Sequence, residues 1–318
     1  MSVRTGVWFF PDVPGPKIVE TIVAAEALGL GEVWLGDEGP ARDPFALLAA
    51  AALPTRRVRL GVAVTNPYLR HPATTAASAL TVHELSGGRM VLGIGPGGDL
   101  SLKPAQVERT RPLAATRRAV RIIRAVSRGE PTEGYTPAPH ALVAPDLPVF
   151  VGARGEAFNR FASEAADGAF LAGIPNSRLA ATAAWARSTR AIDLAVYASA
   201  VFDDASREAV RPRLIYALLD APEATRHALG VSRAAAARAA QAIASGDDRL
   251  ARQIVDDRVL EELLVYGQPA AVGRALAARW RALHPQSVGI ALLAEDPLAA
   301  LEPAAEALAT VAREIACP

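Results

Sequence analysis

Val58-Arg59-Leu60-Gly61-Val62-Ala63-Val64-Thr65 is an apolar, β-branched run broken by a single charge, and it reads as a buried strand. Pro72 then opens a helix that ends near Ser86-Gly87-Gly88, and Met90–Gly95 is a second buried strand. Strand, helix and strand of this kind form one parallel crossover unit, and the rest of the chain repeats it. Toward the N-terminus, Gly6–Phe10 is a strand, followed by a helix over about 16–29 with Ile18, Ile22, Ala25 and Leu28 on one stripe. Glu32–Gly36 is the next strand. Asp43-Pro44 supplies an N-cap and a proline at the first helical position, opening a helix to about 53.

Toward the C-terminus the pattern loosens over 96–111, and a helix is predicted at about 112–128. Residues 129–147 carry Pro131, Pro137, Pro139 and Pro145 and read as an extended excursion. Pro148–Gly152 is the fifth strand, Ala169–Ala172 the sixth, with a helix at 156–166 between them, and Ile192–Val201 is the seventh. The stretch from about 204 to 266 is almost wholly helical in pattern and reads as an insertion before a barrel helix at 269–283. Ser287–Leu293 is the eighth strand, and a helix at 297–315 follows. Eight strands alternating with helices predict a (β/α)₈ barrel, with all 318 residues in a single domain. The alternative, an open doubly wound sheet, would more often bring a separate second domain, and no linker divides this chain.

Half of the residues are hydrophobic (51%) and 21% are charged, ample for a packed core under a solvated surface. Lys and Arg number 34 against 33 Asp and Glu. That balance gives nucleic acid no electrostatic footing. No stretch reaches the roughly 18 uncharged apolar residues of a membrane span. The opening residues run straight into Val3–Phe10 with no basic segment or cleavage site, and the lone cysteine is Cys317. A cytoplasmic protein acting on a small molecule is expected. The five histidines are scattered without metal-ligand spacing, so no metal site is expected.

Gly93-Ile94-Gly95-Pro96-Gly97-Gly98 formally satisfies G-x-G-x-x-G. A dinucleotide site would need a helix beginning at the last glycine and an acid about 20 residues on; here Lys103-Pro104 and Arg117-Arg118 follow. Val151-Gly152-Ala153-Arg154-Gly155 is a better anion site, because it joins a strand to a helix whose first N–H groups are free. Arg154 could add a bidentate contact. On spacing alone an ordinary turn with a surface arginine is as good a reading. Thr65-Asn66 ends the third strand and Asp37-Glu38 the second, in the layer where such barrels keep their chemistry. Helix capping or loop solvation would equally explain the acids, and a hydrogen bond within the loop would explain His71.

Arg57–Pro72, with Leu85-Ser-Gly-Gly-Arg-Met-Val-Leu-Gly-Ile-Gly95, resembles the bacterial luciferase-like superfamily, and within it the coenzyme F420-dependent methylenetetrahydromethanopterin reductases. Pro148–Gly155, Ala162–Gly168 and Tyr266–Pro269 extend the likeness over nearly the whole chain. The resemblance implies a homodimeric (β/α)₈ barrel holding F420, or alternatively FMN. It implies a non-prolyl cis peptide at Ala63-Val64, forming a bulge behind the cofactor ring. Thr65 and Asn66 would contact the ring edge or tail, and Gly152, Ala153, Arg154 and Gly155 would cradle the phosphate. Gly95, Gly97 and Gly98 are counted with the cofactor-binding residues.

The chain also departs from the family. Trp8 stands where the reductases carry a glutamate, Gly98 where they carry an acid, with Asp99 one position on, and Asp37-Glu38 replaces an Asp-His pair. Asp37, Glu38 and Asp99 are therefore the candidate catalytic groups. The expected function is F420- or FMN-dependent hydride transfer to an unknown substrate. The alternatives are an FMN-dependent monooxygenase and a cofactor-binding barrel without the ancestral catalysis. Arg70, Lys103, Arg109 and Arg111 could form a basic margin for the F420 tail, or be solvated loop charges.

Overall fold

A computed structural model describes residues 3–316, so Cys317 lies outside the described residues. Eight parallel strands close into a barrel. They are β1 (Arg4–Phe9), β2 (Glu32–Leu35), β3 (Arg59–Thr65), β4 (Met90–Ile94), β5 (Val149–Gly152), β6 (Gly168–Ala172), β7 (Asp193–Val201) and β9 (Ser287–Ala291). Neighbours follow chain order from β1 to β7, and β9 joins β7 to β1. Closure leaves the barrel strands no free edges. The (β/α)₈ expectation holds.

Two elements correct the sequence reading. The segment predicted as helical to 266 ends in a three-residue strand, β8 (Leu264–Tyr266), which pairs with Ser199–Val201 at the end of β7. A helix at Asn176–Ala186, between β6 and β7, went unplaced. The loose stretch holds one short helix, Asp99–Leu102, and the proline-rich excursion only an isolated bridge between Thr132 and Tyr135.

Alternation along each strand divides the core into two. Val33, Leu35, Leu60, Val62 and Leu92 face the surrounding helices in one large cluster. Trp34, Val91, Phe150, Phe170 and Tyr197 fill the barrel interior. Gly61 makes room for that filling, since a Cβ there would lie 2.2 Å from Cε3 of Trp34. The helices from Asp204 to Leu263 bury a separate cluster built on Leu214, Ile215, Leu218, Val259 and Leu260. Arg89, after the Gly87-Gly88 stop, donates to the carbonyls of Ala52, Thr55, Val58 and Ser86. It thereby pins the entry to β3. Asp43 caps its helix as expected, accepting from the amides of Phe45 and Ala46, and His71 Nδ1 accepts from the amide of Ala73.

Candidate active site

The C-terminal ends of the strands surround a cavity of about 510 Å³, within the range of small-molecule sites, about 300–1,000 Å³. Residues from the ends of β1, β2, β3, β5, β6 and β9 line it, and the segment 213–220 roofs it.

The β3 wall departs from regular sheet. The Ala63-Val64 peptide is cis, and the pairing of β3 with β4 slips between Val62 and Thr65. Trp8 Nε1 donates to the Ala63 carbonyl at 2.7 Å, so the tryptophan ties β1 to this bulge. Val64 packs into space left by two glycines: a Cβ on Gly152 would meet its Cγ1 at 2.4 Å, and one on Gly95 its Cγ2 at 2.7 Å. Ala63, Val64 and Gly152 line the cavity, whereas Gly95 supports Val64 from behind. Thr65 and Asn66 are buried and do not line it. Thr65 Oγ1 donates to Asp37 at 2.6 Å, and Asn66 Oδ1 accepts from the amides of Tyr68 and Leu69, building the turn after β3.

Three predicted acids lie in three environments. Asp37 lines the cavity and is held by Thr65 and by Arg70 Nη1 at 3.3 Å. Glu38, beside it, makes no hydrogen bond or ion pair among the described residues. Burial first, then the neighbouring charges of Asp12 and Asp37, push its carboxyl up to about 7. Asp99 is absent from the lining and is surrounded by Lys103 Nζ at 2.8 Å and by Arg109 and Arg233 at 3.8 Å. Partial burial raises its carboxyl, and these cations outweigh that and hold it below the usual range. Of the three, Glu38 is the one whose carboxyl is shifted toward neutrality.

Across the cavity, Gly152, Ala153 and Arg154 form a lining turn that leads into the helix Glu156–Ala165. No side chain caps that helix, and the amides of Arg154, Gly155, Glu156 and Ala157 have no acceptor among the described residues. Asn159 Nδ2 braces the turn by donating to the carbonyls of Ala153 and Gly155. Gly155 itself is outside the lining, beneath Pro222. Gly97 and Gly98 line the wall after β4, where Arg109 Nη1 donates to the Gly97 carbonyl at 2.7 Å. Of the expected basic margin only Arg109 lines the cavity; Arg70 and Lys103 are engaged by Asp37, Asp43 and Asp99.

Sequence reasoning missed Phe10 and Asp12, one and three positions past the end of β1, although strand-end position alone could have flagged them. Arg213, Tyr216 and Asp220 carry no such signal, because the insertion brings them to the site only on folding. Among the described residues no group of three or more His, Cys, Asp or Glu is placed to hold a metal ion, and no helix is long and apolar enough to cross a membrane.

A closed parallel barrel with a ligand-sized cavity at its C-terminal mouth has the layout of a (β/α)₈ enzyme. The chain belongs to the luciferase-like monooxygenase family, whose sequence model matches residues 5–286, and it is an oxidoreductase. It is 32% identical over 282 residues to the 5,10-methylenetetrahydromethanopterin reductase of Methanolobus tindarius, covering 83% of this chain and 86% of that one. With the reductase of the same name from Methanopyrus kandleri it shares 28% over 306 residues, covering 85% and 87%. The structure of a coenzyme F420-dependent tetrahydromethanopterin reductase from Methanopyrus kandleri superposes with a TM-score of 0.79 at 25% identity, over 96% of this chain and 98% of that one. An F420-dependent secondary alcohol dehydrogenase in complex with an F420-acetone adduct shares the fold, with a TM-score of 0.76 at 14% identity over 98% and 99%.

Proposed function

We propose that this chain is a coenzyme F420-dependent oxidoreductase that transfers hydride between the deazaflavin and a small organic substrate. One observation carries the reading: the cavity runs between the Ala63-Val64 bulge, where β3 slips against β4, and an open turn after β5. The residues fit such a group. Ala63 and Val64 offer a flat apolar backing for a ring, and the free amides from Arg154 onward, with the guanidinium of Arg154, offer an anion site. When bound, the deazaflavin supplies the hydride-transferring position.

The chain's own residues orient and protonate. Trp8 and Phe10, with ring centroids 4.6 Å apart, form an apolar wall on the substrate side, with Leu292 and Leu293 beside them. Glu38, protonated about half the time near pH 7, donates a proton to a carbonyl or imine acceptor against that wall. Asp37, tied to Thr65 and Arg70, lies beside Glu38 and, with Asp12, adds to the burial that favours the protonated acid there. A neutral substrate suits this acid-edged, apolar end better than an anionic one. FMN, with a phosphate that the same turn accommodates, is the alternative cofactor. The family likeness further leads us to infer a homodimer, which sedimentation would test.

Fluorescence titration of the purified protein with F420 and with FMN tests the cofactor reading. Saturation by F420 at least tenfold tighter than by FMN is expected, followed by reoxidation of the reduced cofactor with neutral carbonyl or imine acceptors. The reverse order would favour the FMN-dependent alternative. Binding of neither would overturn the proposal.

A further inference from the structure

The segment 217–222 converges on the anion-binding end of the cavity. Ala217 offers its carbonyl to Arg154 Nη1 at 2.5 Å, and Pro222 lies 3.6 Å from where a Cβ on Gly155 would stand. Between them Asp220 turns its carboxylate into the cavity wall. The backbone N–H of Asp99 donates to both of its oxygens, at 3.3 and 3.4 Å, and Arg109 Nη1 stands 3.6 Å away. The side chain is only 18% exposed. Gly98 permits this approach, since a Cβ there would lie 2.6 Å from Asp220 Oδ2. An oxyanion held by a main-chain amide and a guanidinium, in a wall next to a turn of free amides, has the pose of a bound anionic ligand.

We propose that Asp220 is a resident anion that competes with phosphate-bearing ligands for the donors at this end of the cavity, and so sets how strongly the site prefers a phosphorylated ring over the same ring without phosphate. The inference rests on the cofactor reading above and deepens it. Arg109 and Arg154 are the cations within reach of Asp220, and Asp99 is already paired with Lys103. A phosphate at the turn meets donors already in use: Arg154 partly committed to Ala217, and Arg109 shared with Asp220. It also meets a like charge in a partly desolvated wall, where repulsion is less screened than in water. Removing that charge while keeping an acceptor for the Asp99 amide strengthens phosphate binding and leaves ring binding alone.

The test compares wild type, Asp220→Asn and Asp220→Ser in fluorescence titrations. Two ligand pairs are used: FMN against riboflavin, and F420 against its deazaflavin ring without the phosphate-bearing tail. Both variants are expected to raise the phosphorylated-to-unphosphorylated affinity ratio roughly tenfold, about 1.4 kcal/mol. The unphosphorylated ring should change by less than about twofold, and the gain should shrink in 1 M salt. An unchanged or lowered ratio in both variants would overturn the proposal, making Asp220 a group that positions Arg109 or closes the wall. Failure of every ligand to bind wild type would instead overturn the cofactor reading on which it stands.

Discussion

Two glutamates six residues apart, Glu32 at the start of β2 and Glu38 three residues past its end, mark opposite ends of the barrel. Glu32 lies at the floor, 1% exposed, and accepts from Trp34 Nε1 at 3.0 Å, from Tyr197 OH at 2.7 Å and from Ser287 Oγ, with Arg59 Nη1 at 3.6 Å. Burial and the Glu32 charge push the Tyr197 hydroxyl well above its ordinary value, keeping it a donor. Glu38 lies at the mouth with no partner among the described residues and two acids for neighbours. The floor carboxylate gathers three donors on Oε1, faces Arg59 with Oε2, and ties four strands together. The mouth carboxyl holds its proton to about pH 7 because it is buried and faces the charges of Asp12 and Asp37. On the reading proposed above, the first serves stability and the second chemistry, the division this fold makes between its two faces.

Breaking the floor should produce the largest effect. Glu32→Ala strands three buried donors and the Arg59 guanidinium, and is expected to cost about 3–5 kcal/mol in denaturant unfolding. The folded fraction should still bind cofactor normally. A loss of binding without a loss of stability would contradict the division.

The mouth should respond in the opposite way. Glu38→Gln is expected to lower turnover about 10²- to 10⁴-fold in any assay that supports it, with cofactor affinity unchanged. Its stability effect has a definite sign. The folded chain keeps the Glu38 proton up to about pH 7, whereas the unfolded chain releases it near the ordinary value of 4.5. Wild type therefore loses stability as pH climbs through that window and the variant does not. The melting temperatures should agree near pH 4 and differ by roughly a few degrees in favour of the variant at pH 8.

Gly152→Ala drives a methyl group to 2.4 Å from Val64 Cγ1. Overpacking of this kind costs about 1–3 kcal/mol; if Val64 backs the ring as proposed, cofactor affinity should fall with stability, both followed by titration and thermal melts. Asp99→Asn should do least. That acid is ion-paired and outside the cavity, so turnover within about twofold of wild type is expected. A hundredfold loss would move the proton chemistry from Glu38 to Asp99.

The barrel was legible because buried strands and capped helices alternate with little interruption. β8 was not, being three residues long and paired only at the tip of β7. The helix at Asn176–Ala186 was missed because its alanines blur the apolar stripe. Strand-end position explains why Asp37, Glu38 and the turn after β5 line the cavity, since strand ends in this fold point at the mouth. Nothing in Val62-Ala63-Val64 distinguishes a cis peptide from regular strand, and only the family likeness suggested it. Thr65, Asn66 and Gly95 sit at the right strand ends, yet build the bulge and its turn rather than line the cavity. Asp220 could not be seen at all, because it is 121 residues from the Asp99 amide it accepts from.

The most direct measurement is a crystal structure of the protein saturated with F420, or with FMN should FMN bind tighter. The account predicts the ring packed on Ala63 and Val64 and the phosphate on the Gly152–Gly155 turn. A ring seated elsewhere, or a phosphate that leaves that turn untouched, would contradict it.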